Sequence, residues 1–395
     1  MNPNLSAKRT YDLALAGIFG LILWLPSIIW LCSFEKTTTD RKHWVLAAFP
    51  ELALGVGLGS LQNYNKQVEN HFNQGFGGRN ILNACNIRLK YQLFSDDMGP
   101  DVLRGTDGWY YYQGEDLVDD RLGFKRLSDQ RLRDWQDLLE KRRDWLAARG
   151  IRYLVVIAPN KESVHSEHLP RWLRQPSTTR LDRFLVYMRL HSTVEILDLR
   201  PVLRTAGRFN PVYYQTDTHW NLMGGFVASE AIVAELHNQL PEMRPLEQGD
   251  FEIKQKRGPA GDLSRLSKVS ALIEANTFTF EPKQSLPMLN FCVQGTNVMD
   301  NQQFTVIPFP VIDTVTTANE RATSQIMVFG DSFIIGLVPF LGYHFGQVDF
   351  FWKDTLDKEF IRKNQPSIVV NEIVERHFNR GNPVFHLLTE ASDAN

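Results

Sequence analysis

A helix followed at once by a buried strand constrains this chain more than any other feature. Leu132, Trp135, Leu138, Leu139, Trp145 and Leu146 recur at three- and four-residue spacing after Ser128, Gly150 stops the helix, and Ile151 to Ala158 follows as an apolar run with Val155, Val156 and Ile157. A strand that is apolar on both faces must be covered on both, as in a parallel sheet with helices above and below. The unit repeats: Arg183 to Leu190 leads into Val194 to Leu197, and Gly225 to Leu240 reads as a further helix with Phe226, Ile232, Val233 and Leu236 on one face. Ile326 to Phe329, Val348 to Phe351 and Ile368 to Val370 are three more buried-strand runs. Together they predict an α/β domain with a central parallel sheet flanked by helices. Between Pro241 and Ala322 short alternating pieces such as Thr277–Phe280 and Gln303–Val306 predict a β-rich insertion, about 241–322, inside that domain.

Two properties bound the function. The chain has 43 basic and 45 acidic residues without long single-sign blocks, so nothing suggests a nucleic-acid surface. Leu13 to Phe34 carries no charge over 22 residues, which is long enough to cross a hydrocarbon core as a helix and longer than a usual signal-peptide core. It reads as a membrane anchor. Lys8 and Arg9 precede it while Lys36, Arg41 and Lys42 follow, so the charge balance leaves its orientation open. Cys85 and Cys292 are either a pair in an oxidising compartment or buried thiols.

The chemistry centres on Gly330-Asp331-Ser332-Phe333, where an apolar run breaks and resumes as a helix-like segment. A serine on a strand-to-helix turn sits where unpaired backbone N–H groups favour negative charge, and Gly330 allows the sharp bend. Asp-Ser is also an ordinary helix cap. What argues for catalysis is Thr216-Asp217-Thr218-His219-Trp220: an acid that orients an imidazole, leaving its other nitrogen to take a serine proton. No second His or Cys stands at ligand spacing from His219, so no metal is expected. His165 and His168 read as surface-loop residues, and Glu372, Glu375 and Arg376 as an ion-paired cluster after the last strand.

These motifs resemble the alginate O-acetyltransferase family of bacterial exopolysaccharide-modifying proteins, whose catalytic domains are similar to SGNH hydrolases with the motif order permuted. The matching stretches are Gly105-Thr106-Asp107-Gly108-Trp109-Tyr110-Tyr111, Pro159-Asn160-Lys161, Asp217 to Trp220, Gly330 to Phe333, and Glu372 to Arg376. The resemblance implies an SGNH-like parallel sheet, Asp217, His219 and Ser332 as the catalytic groups, and the Ser332 backbone N–H as an oxyanion donor. It implies no cofactor. It places residues 1–12 in the cytoplasm, an inner-membrane anchor at 13–34, a helical lead-in at 35–100 and a periplasmic catalytic domain at 101–395. The donor would be a multi-spanning membrane acyltransferase partner and the acceptor an exported exopolysaccharide, alginate-like or other. Lys161, Trp109, Tyr214 and Trp220 are expected to bind substrate, with Tyr110, Tyr111 and Tyr213 as further rings able to stack on sugar or to sit in the core. The same three catalytic residues would equally serve an anchored carbohydrate acetylesterase, and a non-catalytic scaffold that binds polymer or a partner is a third reading.

Overall fold

In the computed structural model the chain divides into two compact units, Met1–Leu93 and Phe94–Asn395. The structure describes residues 99–237, 245–270, 272–287, 289–293, 296–299, 314–319 and 324–378, with isolated positions before 99. The stretch 13–34 therefore lies mostly outside the described residues. Among the described residues no helix is long and apolar enough to cross a membrane, so the expected anchor finds no support in the fold.

The second unit opens with an antiparallel hairpin, β1 (Val102–Arg104) and β2 (Tyr110–Tyr112). Helix α1 (Asp129–Ala147) begins where the periodicity places it, because the Ser128 side chain accepts the Arg131 N–H. Strand β3 (Arg152–Ala158) follows, then α2 (Arg180–His191), which starts on a reciprocal Thr179–Asp182 capping box, and β4 (Glu195–Asp198). Helix α3 (Arg200–Gly207) precedes α4 (Leu222–His237). The latter begins three residues before the sequence expectation, because the Asn221 side-chain oxygen accepts the Gly224 N–H and caps it. Strands β10 (Gln325–Gly330), β11 (Gln347–Trp352) and β12 (Ile368–Val374) complete the parallel set, with α5 (Lys358–Asn364) before the last.

The five parallel strands lie in the order β4-β3-β12-β10-β11. Alternation along β3 shows why its sequence is apolar from Tyr153 onward. Leu154, Val156 and Ala158 pack with the residues of α3 and α4 on one face, and Tyr153, Val155 and Ile157 pack with those of α1 and α2 on the other. Each such buried Val, Leu or Ile contributes roughly 1.5–3 kcal/mol relative to exposure.

The segment expected to be an insertion does two things. Strands β5 (Phe251–Pro259) and β6 (Glu274–Pro282) form a separate antiparallel ribbon. Strands β7 (Asn290–Val293), β8 (Thr296–Met299) and β9 (Thr314–Ala318) instead join the main sheet beyond β11, making it mixed and eight-stranded. The pairing of β9 with β11 is antiparallel and satisfies a strand edge that would otherwise stay open. Gln303–Val306 lies outside the described residues.

Register puts the chemistry at one end. Val374 of β12 pairs with Ala158 of β3, and Phe329 of β10 with Asn371 of β12, so the residues after all three strands meet at the carboxyl edge. The chain runs outward from β3 to β4 in one direction and from β10 to β11 in the other. The crevice between them is where open α/β sheets bind ligands.

Candidate active site

Strand β10 delivers the serine through a crowded turn. A Cβ on Gly330 would lie 2.5 Å from the Glu372 Oε2 and 2.7 Å from Ile334, so no larger residue fits there without movement. Asp331 ties the turn to β12: its N–H donates to Glu372 Oε2 at 3.0 Å, and its carboxylate accepts from Phe333 N at 2.9 Å and Val374 N at 3.2 Å. Burial, reinforced by the Asp331 charge, pushes the Glu372 carboxyl well above its ordinary range. The helix-like segment expected from Phe333 is a 3-10 turn, Ser332–Gly336, followed by a short helix, Val338–Leu341. Pro339 has no N–H to carry an α-helix through this point.

The base loop is a tight return between Tyr213 and Trp220, which form an isolated antiparallel bridge. The Tyr214 N–H donates to the His219 carbonyl at 3.3 Å. It is locked against the serine turn by two close approaches: a Cβ on Gly225, in the first turn of α4, would lie 2.1 Å from the Gly336 carbonyl oxygen, and one on Gly336 would lie 2.2 Å from the Trp220 indole nitrogen. Phe333 packs edge-on to Trp220 and lies 4.9 Å from the His219 ring.

This seam brings the three expected groups into one line. Asp217 Oδ1 lies 2.6 Å from His219 Nδ1, and His219 Nε2 lies 2.6 Å from Ser332 Oγ. Asp217 Oδ1 also accepts the His219 backbone N–H at 3.0 Å, and Oδ2 accepts the Asp262 N–H at 2.8 Å. Burial raises the Asp217 carboxyl, but the hydrogen bond and charge of His219 together with these N–H donors outweigh it and hold the group far below the carboxylate range. Burial likewise disfavours a charged His219, yet the bond to Asp217 and its charge win, and the imidazole is raised above its ordinary value. The ring keeps 28% of its side chain exposed, which leaves the base within reach of a reactant. The Ser332 N–H makes no hydrogen bond among the described residues.

Asp262 was not visible as a site residue in the sequence. It sits in a short helix, Asp262–Leu266, between β5 and β6, where it accepts the Thr218 N–H at 2.7 Å and the Thr218 hydroxyl at 2.5 Å. Gly261-Asp262 before Leu263 signals a helix start, but nothing local shows that the turn docks on the base loop. Asp217, His219 and Asp262 each place one potential ligand atom within 4.8 Å of the others, a spacing a cation could use. Their acceptor atoms are already committed to His219 Nδ1, three backbone N–H groups and the Thr218 hydroxyl. The cluster is a charge-orienting network rather than a ligand cage.

A cleft of about 230 Å³ opens at the serine, lined by Tyr214, Trp220, Ile335 and Pro339 and by Lys256, Thr277 and Phe278 of the β5–β6 ribbon. Of the residues expected to bind substrate, Tyr214 and Trp220 line it. Trp109 and Lys161 do not: both are buried, Trp109 under a stacked His168, Lys161 with its ammonium on the Tyr214, Gln215 and Asp217 carbonyls. Tyr110, Tyr111 and Tyr213 are core residues; the Tyr111 and Tyr213 hydroxyls donate to the carbonyls of His165 and Pro159.

His165 is also interior rather than on the surface, since it is buried and its Nε2 accepts the Val212 N–H at 3.2 Å. Glu375 accepts from Asn160 N and Ser163 Oγ, and Arg376 lies over the Phe333 ring, so the expected ion pair among Glu372, Glu375 and Arg376 is replaced by separate ties of β12 to the turns beside it. Cys85 lies outside the described residues.

Residues 102–375 match the family model described as the SGNH hydrolase-like domain of acetyltransferase AlgX. A probable alginate O-acetylase AlgJ of Pseudomonas syringae pv. tomato is 25% identical over 220 residues, 54% of this chain and 53% of that protein, so the alignment spans about half the length of that relative. The Pseudomonas fluorescens protein of the same name is 22% identical over 337 residues, 81% of this chain and 79% of the relative. Among solved structures, Bacillus cereus PatB1 with a sulfonyl adduct superposes with a TM-score of 0.53 at 14% identity, covering 72% of this chain and 99% of that one, a likeness of fold.

Proposed function

Because the chain belongs to the family of SGNH hydrolase-like acetyltransferase domains, we propose that it moves an acetyl group through an acyl-serine on Ser332 onto a hydroxyl of an exported polysaccharide. The observation that carries this reading is one imidazole held between a carboxylate and a hydroxyl, 2.6 Å from each. His219 takes the Ser332 proton as Oγ attacks the acetyl carbonyl, and Asp217 stabilises the imidazolium that results. The Ser332 N–H is a donor for the oxyanion. The leaving group departs with the proton from His219, and an acceptor hydroxyl, deprotonated by the same ring, attacks the acyl-serine and regenerates the enzyme.

The relatives' names point to an alginate-like acceptor, for which Tyr214 and Phe278 supply aromatic surface in the lining of the cleft. Anchorage in the inner membrane through 13–34, with a periplasmic catalytic domain fed by a multi-spanning acyltransferase, completes the proposal; its support is the uncharged stretch in the sequence. A membrane-anchored acetylesterase is the second reading, favoured by the partial exposure of His219, which lets water reach the acyl-serine.

Incubating the purified chain with a chromogenic acetyl ester, with and without oligosaccharide, separates the two. Acetylated sugar supports transfer. Free acetate alone under both conditions refutes it in favour of hydrolysis.

A further inference from the structure

Lys161 follows β3 at the carboxyl edge of the sheet and is 3% exposed. Its ammonium faces the underside of the base loop and donates to three backbone carbonyls: Tyr214 at 3.1 Å, Gln215 at 3.1 Å and Asp217 at 2.6 Å. On its other side stand the rings of Tyr111 and Trp109, 5.3 and 5.7 Å from Nζ. Three carbonyl oxygens directed at one point repel one another unless a cation draws them together. An ammonium has three N–H donors, one for each; a neutral amine has two.

We propose that Lys161 is a positioning residue for the transfer chemistry, its ammonium clamping the backbone of 214–217 so that His219, two residues on, stays between Asp217 and Ser332. The inference rests on the acyl-serine reading of the site and deepens it. The clamp is also sensitive to pH. Burial pushes Lys161 down to about 7, against the attraction of Asp217 from the loop, Asp262 from the turn between β5 and β6, and Glu162 beside it. The Tyr111 phenol facing it is pushed up by burial and stays neutral. Between that value and the ordinary lysine value of 10.5, the unfolded chain holds a proton that the folded chain has released. Raising the pH through this window therefore favours the fold while removing one of the loop's three hydrogen bonds. Activity falls as stability rises.

The test is the pH dependence of kcat and KM for a chromogenic acetyl ester with the full chain, comparing wild type, Lys161→Met and Lys161→Arg, with Ser332→Ala alongside. The wild type is expected to lose kcat on the alkaline side with a midpoint near neutrality. Lys161→Met is expected to lose about 100-fold in kcat, the scale of a small misplacement of a catalytic group, with KM changed by less than about twofold and the alkaline limb absent. Lys161→Arg, permanently charged, also lacks the limb and retains more activity than Lys161→Met. Persistence of the limb in either variant, or a Lys161→Met kcat within about threefold of wild type, overturns the clamp. If Ser332→Ala still turns over, the acyl-serine reading itself fails, a separate outcome. Should Lys161→Met not fold, Lys161→Gln is held to the same kcat criterion, and a carbon-13 titration of the wild-type lysines tests the pH sensitivity: a resonance moving near neutrality, and lost in Lys161→Arg, supports it, and lysines that all titrate near 10.5 refute it.

Discussion

Replacing Asp217 by Asn tests the line of three side chains most directly, because the carboxylate accepts from three donors with two oxygens. Oδ1 serves the ring Nδ1 at 2.6 Å and the backbone N–H of His219 at 3.0 Å, and Oδ2 serves the Asp262 N–H at 2.8 Å. An amide has one oxygen to offer. If it faces His219, its NH2 opposes the Asp262 N–H; if it faces Asp262, its NH2 opposes the His219 backbone N–H and fixes the ring with its proton on the wrong nitrogen. Both orientations remove the charge that stabilises the imidazolium. Two unit charges about 4 Å apart at an effective dielectric of about 20 interact by about 4 kcal/mol, roughly a thousandfold in rate, and the tautomer error extends this toward about 10⁴-fold.

Asp217 also raises His219, so its loss lets burial dominate and shifts the acid limb of kcat to lower pH. The assay is hydrolysis of a chromogenic acetyl ester across pH, with circular dichroism as a control on folding. An Asp217→Asn protein within tenfold of wild type, or one whose acid limb does not move down, would refute the assigned roles.

Ser332→Ala is expected to abolish turnover and any covalent adduct with a sulfonyl or phosphonate reagent, read by intact mass. Gly225→Ala places a methyl 2.1 Å from the Gly336 carbonyl, backbone against backbone; it should lower the thermal midpoint by an amount equivalent to about 1–3 kcal/mol and slow catalysis more than it changes KM, because the base loop and serine turn are forced apart. Wild-type activity should rise with pH through the raised His219 value, as the base must be neutral to act, and fall again as Lys161 loses its proton, which gives a bell-shaped profile. The His219 share of stability moves the other way: the raised histidine contributes fully below its unfolded value of about 6.5 and loses that contribution as pH climbs through the folded one, while the lowered Asp217 keeps its share until strong acid. The difference in thermal midpoint between wild type and His219→Ala should therefore shrink from pH 6 to alkaline pH, and a constant difference would contradict the pairing.

The parallel core was legible because burial on both faces writes itself into strands such as Ile326–Phe329 and Ile368–Val370 as unbroken apolar runs, and because Ser128 and Gly150 punctuate α1. The juxtaposed Asp217, His219 and Ser332 were legible for a different reason: an acid two residues before a histidine, and a serine after a strand, are local patterns with a chemical meaning. What escaped was tertiary. Lys161 and Trp109 resemble binding residues in a string of letters, and only packing shows them buried beneath the base loop. Asp262 stands 45 residues from Asp217 and meets it through a docked turn, as its hydrogen bond records. The joining of β7 to β9 to the main sheet depends on the open edge of β11, which no local signal announces.

The ribbon of β5 and β6 divides labour within the protein. The sheet edge and base loop hold the reacting groups through bonds that tolerate little change, whereas Lys256 and Phe278 reach the cleft from strands outside that sheet and make no hydrogen bond to Asp217, His219 or Ser332 among the described residues. Drift at those two positions can reshape what the cleft admits while leaving the line of Asp217, His219 and Ser332 untouched.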